Sequence, residues 1–352
     1  MKTLITPLDW GLGHATRCVP VIRALMDKGH EVFVASSGSA LILLKQEFPT
    51  LQFFELPSYN PIYSSKSWLV IKLLSQVFKF FDAIKKEHRQ IQHLINEHHF
   101  DLIISDHRYG CYAKNVKSIF ITHQVNFLFS GFWKWGGWLV NRWHHAKMKN
   151  FHSIWIPDLA DSFLSGGLSK SNLEMVKFIG PLSRFSVPVE NAQKKYDLLV
   201  LISGPEPQRT IFESLVKKQL EKTTLRSLIV KGKPNGREEL STEGNVTEAN
   251  HLSTAQLQQT IEQSEFILCR SGYSTVMDIA KLKKKNVIFV PTPGQPEQEY
   301  LAWKFKSEGI AHSVEQRDLA IEKDMKLARG FKGFSFSSSN DLLIKAIEKL
   351  TS

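Results

Sequence analysis

Apolar residues along this chain fall into short, nearly continuous runs separated by longer amphipathic stretches. That alternation predicts strands buried in parallel sheets with helices between them. Lys2–Thr6 reads as a buried first strand. A helix follows with Cys18, Ile22, Leu25 and Met26 on one face, closed by Gly29, and Glu31–Ala35 is the next strand. Thr50–Phe54, Asp101–Ser105, Lys117–Thr122 and Ser153–Pro157 complete the strands of the first half. Between Trp68 and His99 there is no Pro or Gly. Ile71, Leu74, Phe78, Phe81, Ile91 and Ile95 mark a stripe there, expected on one long helix or two abutting ones packed on the sheet.

The alternation restarts at Asp197–Ile202, with a helix to about Leu220, a strand at Ser227–Lys231, a polar turn over Lys233–Glu243 and a short strand at Asn245–Thr247. Ser253–Gln263 is a helix capped by Ser253 or Thr254. Phe266–Leu268 and Asn286–Val290 are strands, and Asp341–Leu350 is a last helix capped by Ser339 or Asn340. Two β-α-β halves with glycine turns at their strand ends imply two doubly wound parallel-sheet domains facing a cleft. The expected boundaries are 1–178, 179–335, and a terminal helix in 336–352 that is a candidate to cross back to the first domain.

Composition narrows the classes. The chain has 352 residues, 42% hydrophobic and 22% charged, which fits a globular protein of two domains. Cys18, Cys111 and Cys269 are too few and too scattered for a disulfide framework or a metal knuckle, so a reducing cytoplasm is expected. The N-terminus does not read as a signal peptide, and no stretch approaches the roughly 18 apolar residues of a spanning helix. A net charge of +11 favours an anionic partner: a nucleotide, an acidic membrane surface or nucleic acid. Residues 126–151 hold Trp133, Trp135, Trp138 and Trp143 among Lys134, Arg142, Lys147 and Lys149. That mixture suits lipid or a lipid-linked acceptor at a membrane interface, an aromatic core or dimer contact, or stacking on single-stranded nucleic acid. No nucleic-acid-binding module is recognisable, so nucleic acid is not expected.

The chemistry concentrates in CRSGYSTVMDIAKLKKKNVIFVPTPGQPEQEY, Cys269–Tyr300. A strand ends at Arg270-Ser271-Gly272 and a helix begins near Ser274. Free N–H groups at that helix start, with the helix dipole behind them, favour phosphate, and a glycine lets a ligand approach. Ser274 and Thr275 add hydroxyls, either for a ligand or as caps. Asp278, one turn on, suits sugar hydroxyls or is a solvated helix residue. In the first half, Gly11-x-Gly13 lacks the third glycine of the dinucleotide fingerprint. His14 follows it, either a structural or surface histidine or a functional one, since it stands at the ligand-binding end of the first strand. Asp106 ends the strand at Asp101–Ser105 on the same side, either as the carboxylate orienting that imidazole or as a helix N-cap. Arg184, past Gly180-Pro181, either points into a cleft or is a surface arginine.

GLGHATR after the first strand, CRSGYSTVMDIA and PTPGQPEQEYLA together resemble the two-domain glycosyltransferases of GT-B architecture, over nearly the whole chain. The likeness is to the peptidoglycan lipid-linked N-acetylglucosaminyltransferases and the UDP-glycosyltransferases. It implies two Rossmann-like domains and an inverting single displacement from a nucleotide sugar, UDP by expectation, to a hydroxyl acceptor, with lipid-linked acceptors among the options. His14 would be the general base and Asp106 its orienter. Ser203 and Gly204 would open the second domain and Arg184 would meet phosphate. The turn Arg270, Ser271, Gly272, Tyr273, Ser274 and Thr275 would cradle the diphosphate, Asp278 the ribose, and Gln298 and Glu299 the donor sugar. SGPEPQR departs from the family's glycine run, since prolines remove backbone donors, and Glu299 stands where glutamine is commoner. No Asp-x-Asp pair is present, so no metal and no cofactor beyond the donor is expected. A peripheral site on the inner face of a membrane is a further expectation. A nonhydrolysing UDP-sugar epimerase, and a non-catalytic binder of nucleotide sugars or anionic surfaces, are the alternatives.

Overall fold

The structure, a computed structural model, describes residues 1–59, 76–128, 134–189, 192–234, 240–335 and 341–351. It divides into two compact units, one running to Ser183 and including the C-terminal helix, the other starting at Arg184.

In the first unit the elements are β1 (Lys2–Pro7), α1 (Leu12–Asp27), β2 (Glu31–Ser36), α2 (Gly38–Glu47), β3 (Gln52–Glu55), α3 (Val77–His98), β4 (Leu102–Asp106), β5 (Lys117–Ile121), α4 (Lys134–Met148), β6 (Ser153–Ile156) and β7 (Val176–Phe178). Its parallel sheet has the order β3-β2-β1-β4-β5-β6-β7. Leu4, Ile5 and Ile103 are fully buried, and α3 lays Ile91, Leu94 and Ile95 on one face of the sheet. The strand at 176–178 corrects the sequence reading, which ended the strands of the first half at Ser153–Pro157. Three alternating residues pairing at a sheet edge leave too short a pattern to detect.

In the second unit β8 (Tyr196–Leu201), α5 (Gln208–Leu220), β9 (Ser227–Val230), β10 (Leu240–Glu243), β11 (Val246–Ala249), α6 (Thr254–Glu262), β12 (Ser264–Cys269), α7 (Tyr273–Lys281), β13 (Val287–Phe289), α8 (Pro296–Ser307), β14 (His312–Ser313) and α9 (Ile321–Ala328) follow in order. The sheet runs β10-β11-β9-β8-β12-β13-β14 and is parallel except for β10. Leu198, Val200, Phe212, Phe266, Leu268 and Ile288 form its core. Ser253 caps α6 through a capping box with Gln256. Residues 240–243, expected within a polar turn, are instead the antiparallel edge strand β10, whose four residues are all exposed, so burial leaves no apolar signature.

Three apolar expectations fail for one reason: a stripe wider than the surface it covers. Phe78, in the first turn of α3, is 87% exposed, and Phe81 and Met26 are more than a third exposed. Residues 68–75, which include Ile71 and Leu74, lie outside the described residues, as do Ser339, Asn340 and Trp133. The last helix, α10 (Asp341–Thr351), belongs to the first unit, where Glu348 pairs with Lys28 at 2.5 Å.

Candidate functional site

In the first unit, β1 and β4 are adjacent, with Pro7 opposite Asp106. The pairing brings the turn after β1 against the last residue of β4. Gly11, at φ 83, lets the chain turn from β1 into α1, a conformation that strains any residue with a side chain. His14 then sits in the first turn of α1 with 16% of its side chain exposed, and Asp106 is fully buried. His14 Nδ1 lies 3.1 Å from Asp106 Oδ1.

Arg17 is the residue that sequence reasoning missed here. Buried three positions along α1, it shares a face with His14, and that spacing was the available signal. Its Nε donates to Asp106 Oδ2 at 2.6 Å, and its Nη2 donates to Asp106 Oδ1. The same Nη2 reaches His14 Nδ1 at 2.9 Å, while Nη1 reaches His123 Nδ1 at 3.0 Å. Burial pushes the Asp106 carboxyl up, but Arg17 and His14 outweigh it and hold it well below the usual carboxylate range. Burial, then Arg17, pull the His14 imidazole below its ordinary value against the opposing pull of Asp106. The ring is therefore neutral, as a proton acceptor must be.

His107 completes the surroundings. Its φ is 62, its ring centroid is 5.7 Å from that of His14, and its buried Nδ1 has no hydrogen-bond partner among the described residues. Burial pushes its pKa well down. Behind it, His144 on α4 donates from Nε2 to the Gln124 carbonyl at 2.8 Å, so its Nδ1 accepts from the Tyr109 hydroxyl, also at 2.8 Å. Burial pushes His144 down to about 4.

In the second unit, Gly272 is the N-cap of α7, with φ −69 and ψ 140 and no side-chain cap. The helix starts at Tyr273, so Ser274 and Thr275 stand inside its first turn rather than capping it; both are half-buried, as is Asp278 one turn on. A methyl group added at Gly272 would meet only Gln298 Nε2, at 3.9 Å. Neither φ nor crowding within the protein therefore demands glycine, and what its absent side chain leaves is a clear approach to the helix N-terminus. Gln298 Oε1 accepts from the Thr292 N–H at 2.9 Å, which turns Nε2 toward Gly272, and Ser271 Oγ donates to the Gln298 carbonyl at 2.7 Å. Glu299, exposed, accepts from the Gly294 N–H at 2.8 Å.

Arg270 is fully buried. It donates to the carbonyls of Val290, Pro291 and Gln208 and to Gln316 Oε1, and it lies 4.1 Å from the Phe212 ring centroid. Among the described residues no carboxylate forms an ion pair with it, and burial pulls its pKa down to about 9. Arg270 Nε, Thr292 Oγ1 and Gln295 Oε1, all buried atoms, have no hydrogen-bond partner among the described residues. Buried polar groups are ordinarily paired, so these atoms hold hydrogen-bonding capacity that a ligand or a water can take up.

The turn after β8 behaves differently. Gly204 is in the left-handed region at φ 104, with Thr292 Oγ1 3.6 Å from where its methyl would be. The N-terminus of α5 already holds an anion of its own: Glu206 accepts from the Thr210 N–H and hydroxyl and pairs with Arg209. Ser203 is half-buried beside it. Arg184 is buried, not a surface arginine; it stacks on Phe185 and reaches Thr254 Oγ1 at 3.4 Å. The second unit thus gathers Arg270, Ser271, Gly272, Gln298 and Gly204 at the carboxyl ends of its strands, while Arg184 is set among α6 contacts.

Comparisons with known proteins bear on the fold and on the two halves of the chain. Residues 200–329 match the glycosyltransferase family 28 C-terminal domain, and residues 3–126 match glycosyl transferase family 1. The UDP-N-acetylglucosamine–N-acetylmuramyl-(pentapeptide) pyrophosphoryl-undecaprenol N-acetylglucosamine transferase of Histophilus somni is 29% identical over 164 residues, 41% of this chain and 44% of that protein. An uncharacterized glycosyltransferase of Methanosarcina mazei is 25% identical over 243 residues, 62% of this chain and 61% of that one. The matches thus span less than two thirds of either relative. The spinosyn rhamnosyltransferase SpnG shares the fold over the whole chain and 96% of its own, with a TM-score of 0.63 at 15% identity, and has also been solved with thymidine diphosphate.

Proposed function

We propose that this chain, a GT-B protein whose second half matches the glycosyltransferase family 28 C-terminal domain, transfers a sugar from a nucleoside diphosphate to a hydroxyl group with inversion, using His14 as the base. The observation that carries the reading is the pairing of His14 Nδ1 with the buried Asp106 carboxylate at the carboxyl ends of β1 and β4. His14 Nε2 takes the proton of the acceptor hydroxyl as the oxygen attacks the anomeric carbon. The bond from that carbon to the diphosphate breaks, and the nucleoside diphosphate leaves with the electron pair. The N-terminus of α7 at Gly272 receives that charge, with Gln298 Nε2 as a fixed donor beside it.

A UDP-sugar donor is supported by the relative from Histophilus somni, whose name specifies UDP-N-acetylglucosamine and an undecaprenol-linked acceptor. Among the described residues no helix is long and apolar enough to cross a membrane. Contact with a lipid-linked acceptor would come from α4, where Trp138 and Leu139 are each more than 60% exposed and Arg142 lies over the Trp138 ring.

The test is His14→Ala with a panel of nucleotide sugars and release of nucleoside diphosphate as readout. Turnover should fall by about 10²–10⁴-fold, with thermal stabilisation by the nucleotide unchanged. Wild-type turnover by the variant removes His14 from the reaction. Conversion of the donor alone into a different nucleotide sugar, with no acceptor and no net release of diphosphate, points instead to an epimerase using the same donor site.

A further inference from the structure

The cluster around His14 holds one group more than an acid–base pair needs. Two side chains converge on one atom: Asp106 Oδ1 and Arg17 Nη2 both lie within hydrogen-bond distance of His14 Nδ1. A single imidazole nitrogen cannot satisfy both. If Nδ1 carries the proton it donates to Asp106, and Nε2 has a free lone pair. If Nδ1 is bare it accepts from Arg17, and the proton sits on Nε2, where the ring can take nothing from an acceptor. Arg17 cannot give up its own proton, so it always offers the second arrangement.

We propose that Arg17 is a positioning residue for the base: its two-pronged grip on Asp106 and its competition for His14 Nδ1 set which tautomer of His14 is present and how readily the ring takes a proton. This rests on the reading of His14 as the base. Among the described residues, Arg17 from α1, Asp106 and His107 at the end of β4, and His123 after β5 act on His14, while Cys18 donates from Sγ to Asp106 Oδ2. Asp106 alone would favour the imidazolium, but Arg17 neutralises that carboxylate with both of its oxygens engaged. The ring is then held neutral, consistent with its lowered pKa. The imidazolium has Nδ1 protonated, so proton uptake at Nε2 requires the contact with Arg17 Nη2 to yield to the one with Asp106. Arg17 thereby also favours return of the proton after transfer.

The test uses the full chain labelled with ¹⁵N at histidine. Ring nitrogen shifts report tautomer and titration of His14 directly, with His14→Ala for assignment, beside the pH profile of kcat/KM. Arg17→Gln should raise the pH at which His14 titrates by about one unit and move the acidic limb of the profile upward by the same amount. Arg17→Lys keeps the charge but not the fork. It should titrate near the wild type while shifting the neutral ring toward the Nδ1-protonated form, and it serves where Arg17→Gln does not fold. Folded variants in which His14 keeps its wild-type titration and tautomer, with turnover reduced equally at every pH, overturn the proposal and leave Arg17 a structural residue. Failure of the base reading shows separately, as His14→Ala that still turns over.

Discussion

The two chemical clusters of this molecule handle buried charge in opposite ways. Around Asp106, every charge is answered within the protein: the carboxylate is gripped by Arg17 and shared with His14. Around Gly272, Arg270 is just as deeply buried, but among the described residues it donates only to carbonyls and an amide, and neighbouring polar atoms lack partners. A self-balanced cluster suits a group that must move one proton and return to its starting state. A cluster with surplus positive character and unused hydrogen-bonding capacity suits an anion that comes and goes. Glu206 sharpens the contrast, because the α5 N-terminus in the same unit carries its own carboxylate.

The comparison can be broken most strongly at Asp106. Asp106→Asn strands the Arg17 guanidinium in a buried site, and the first unit should lose about 3–5 kcal/mol of stability in denaturant unfolding. A loss under 1 kcal/mol would mean that the charges are not coupled as described.

The buried histidines of the first unit should also reveal themselves by pH. His144 titrates at about 4 in the folded protein against an ordinary 6.5. Below 6.5 the unfolded chain binds a proton that the folded chain refuses, so stability falls as pH falls from 6.5 toward 4. At one pKa unit per 1.36 kcal/mol, the loss from this residue approaches about 3 kcal/mol. His14 and His107 are lowered in the same direction and add to it. His144→Gln should flatten the melting temperature between pH 6.5 and 4; a slope unchanged in that variant assigns the loss elsewhere.

On the other side, Gly272→Ala should leave the protein without ligand within about 0.5 kcal/mol of wild type, because the added methyl meets nothing closer than 3.9 Å. A nucleoside diphosphate at one hundred times its dissociation constant stabilises the wild type by about 2.7 kcal/mol, and the variant should lose most of that shift. Equal stabilisation of both proteins would place the diphosphate away from this turn.

Much of this arrangement was legible in the residues. Buried strands read as unbroken apolar runs, and Ser253 or Thr254 announced a capped helix. The turn at Arg270–Gly272 stood out because strand, glycine and helix follow one another directly. Arg17 did not stand out, because a helical arginine reads as solvated until a neighbouring strand supplies its carboxylate. Strand β10 was hidden by exposure, and β7 by its length of three residues.

The sequence alone determined the alternation of strands and helices, the glycine turns and the basic balance, because hydrophobic period and backbone freedom are properties of neighbouring residues. Only the tertiary structure decided that Asp106 belongs to Arg17 as much as to His14, and that Arg270 has no acidic partner among the described residues. Charge compensation is settled by which strands lie side by side, here β1 against β4 and β12 against β8 and β13, and those pairings join residues about a hundred positions apart in the first case. Spacing along a chain carries no record of which distant carboxylate will be within reach of a guanidinium once both have left water.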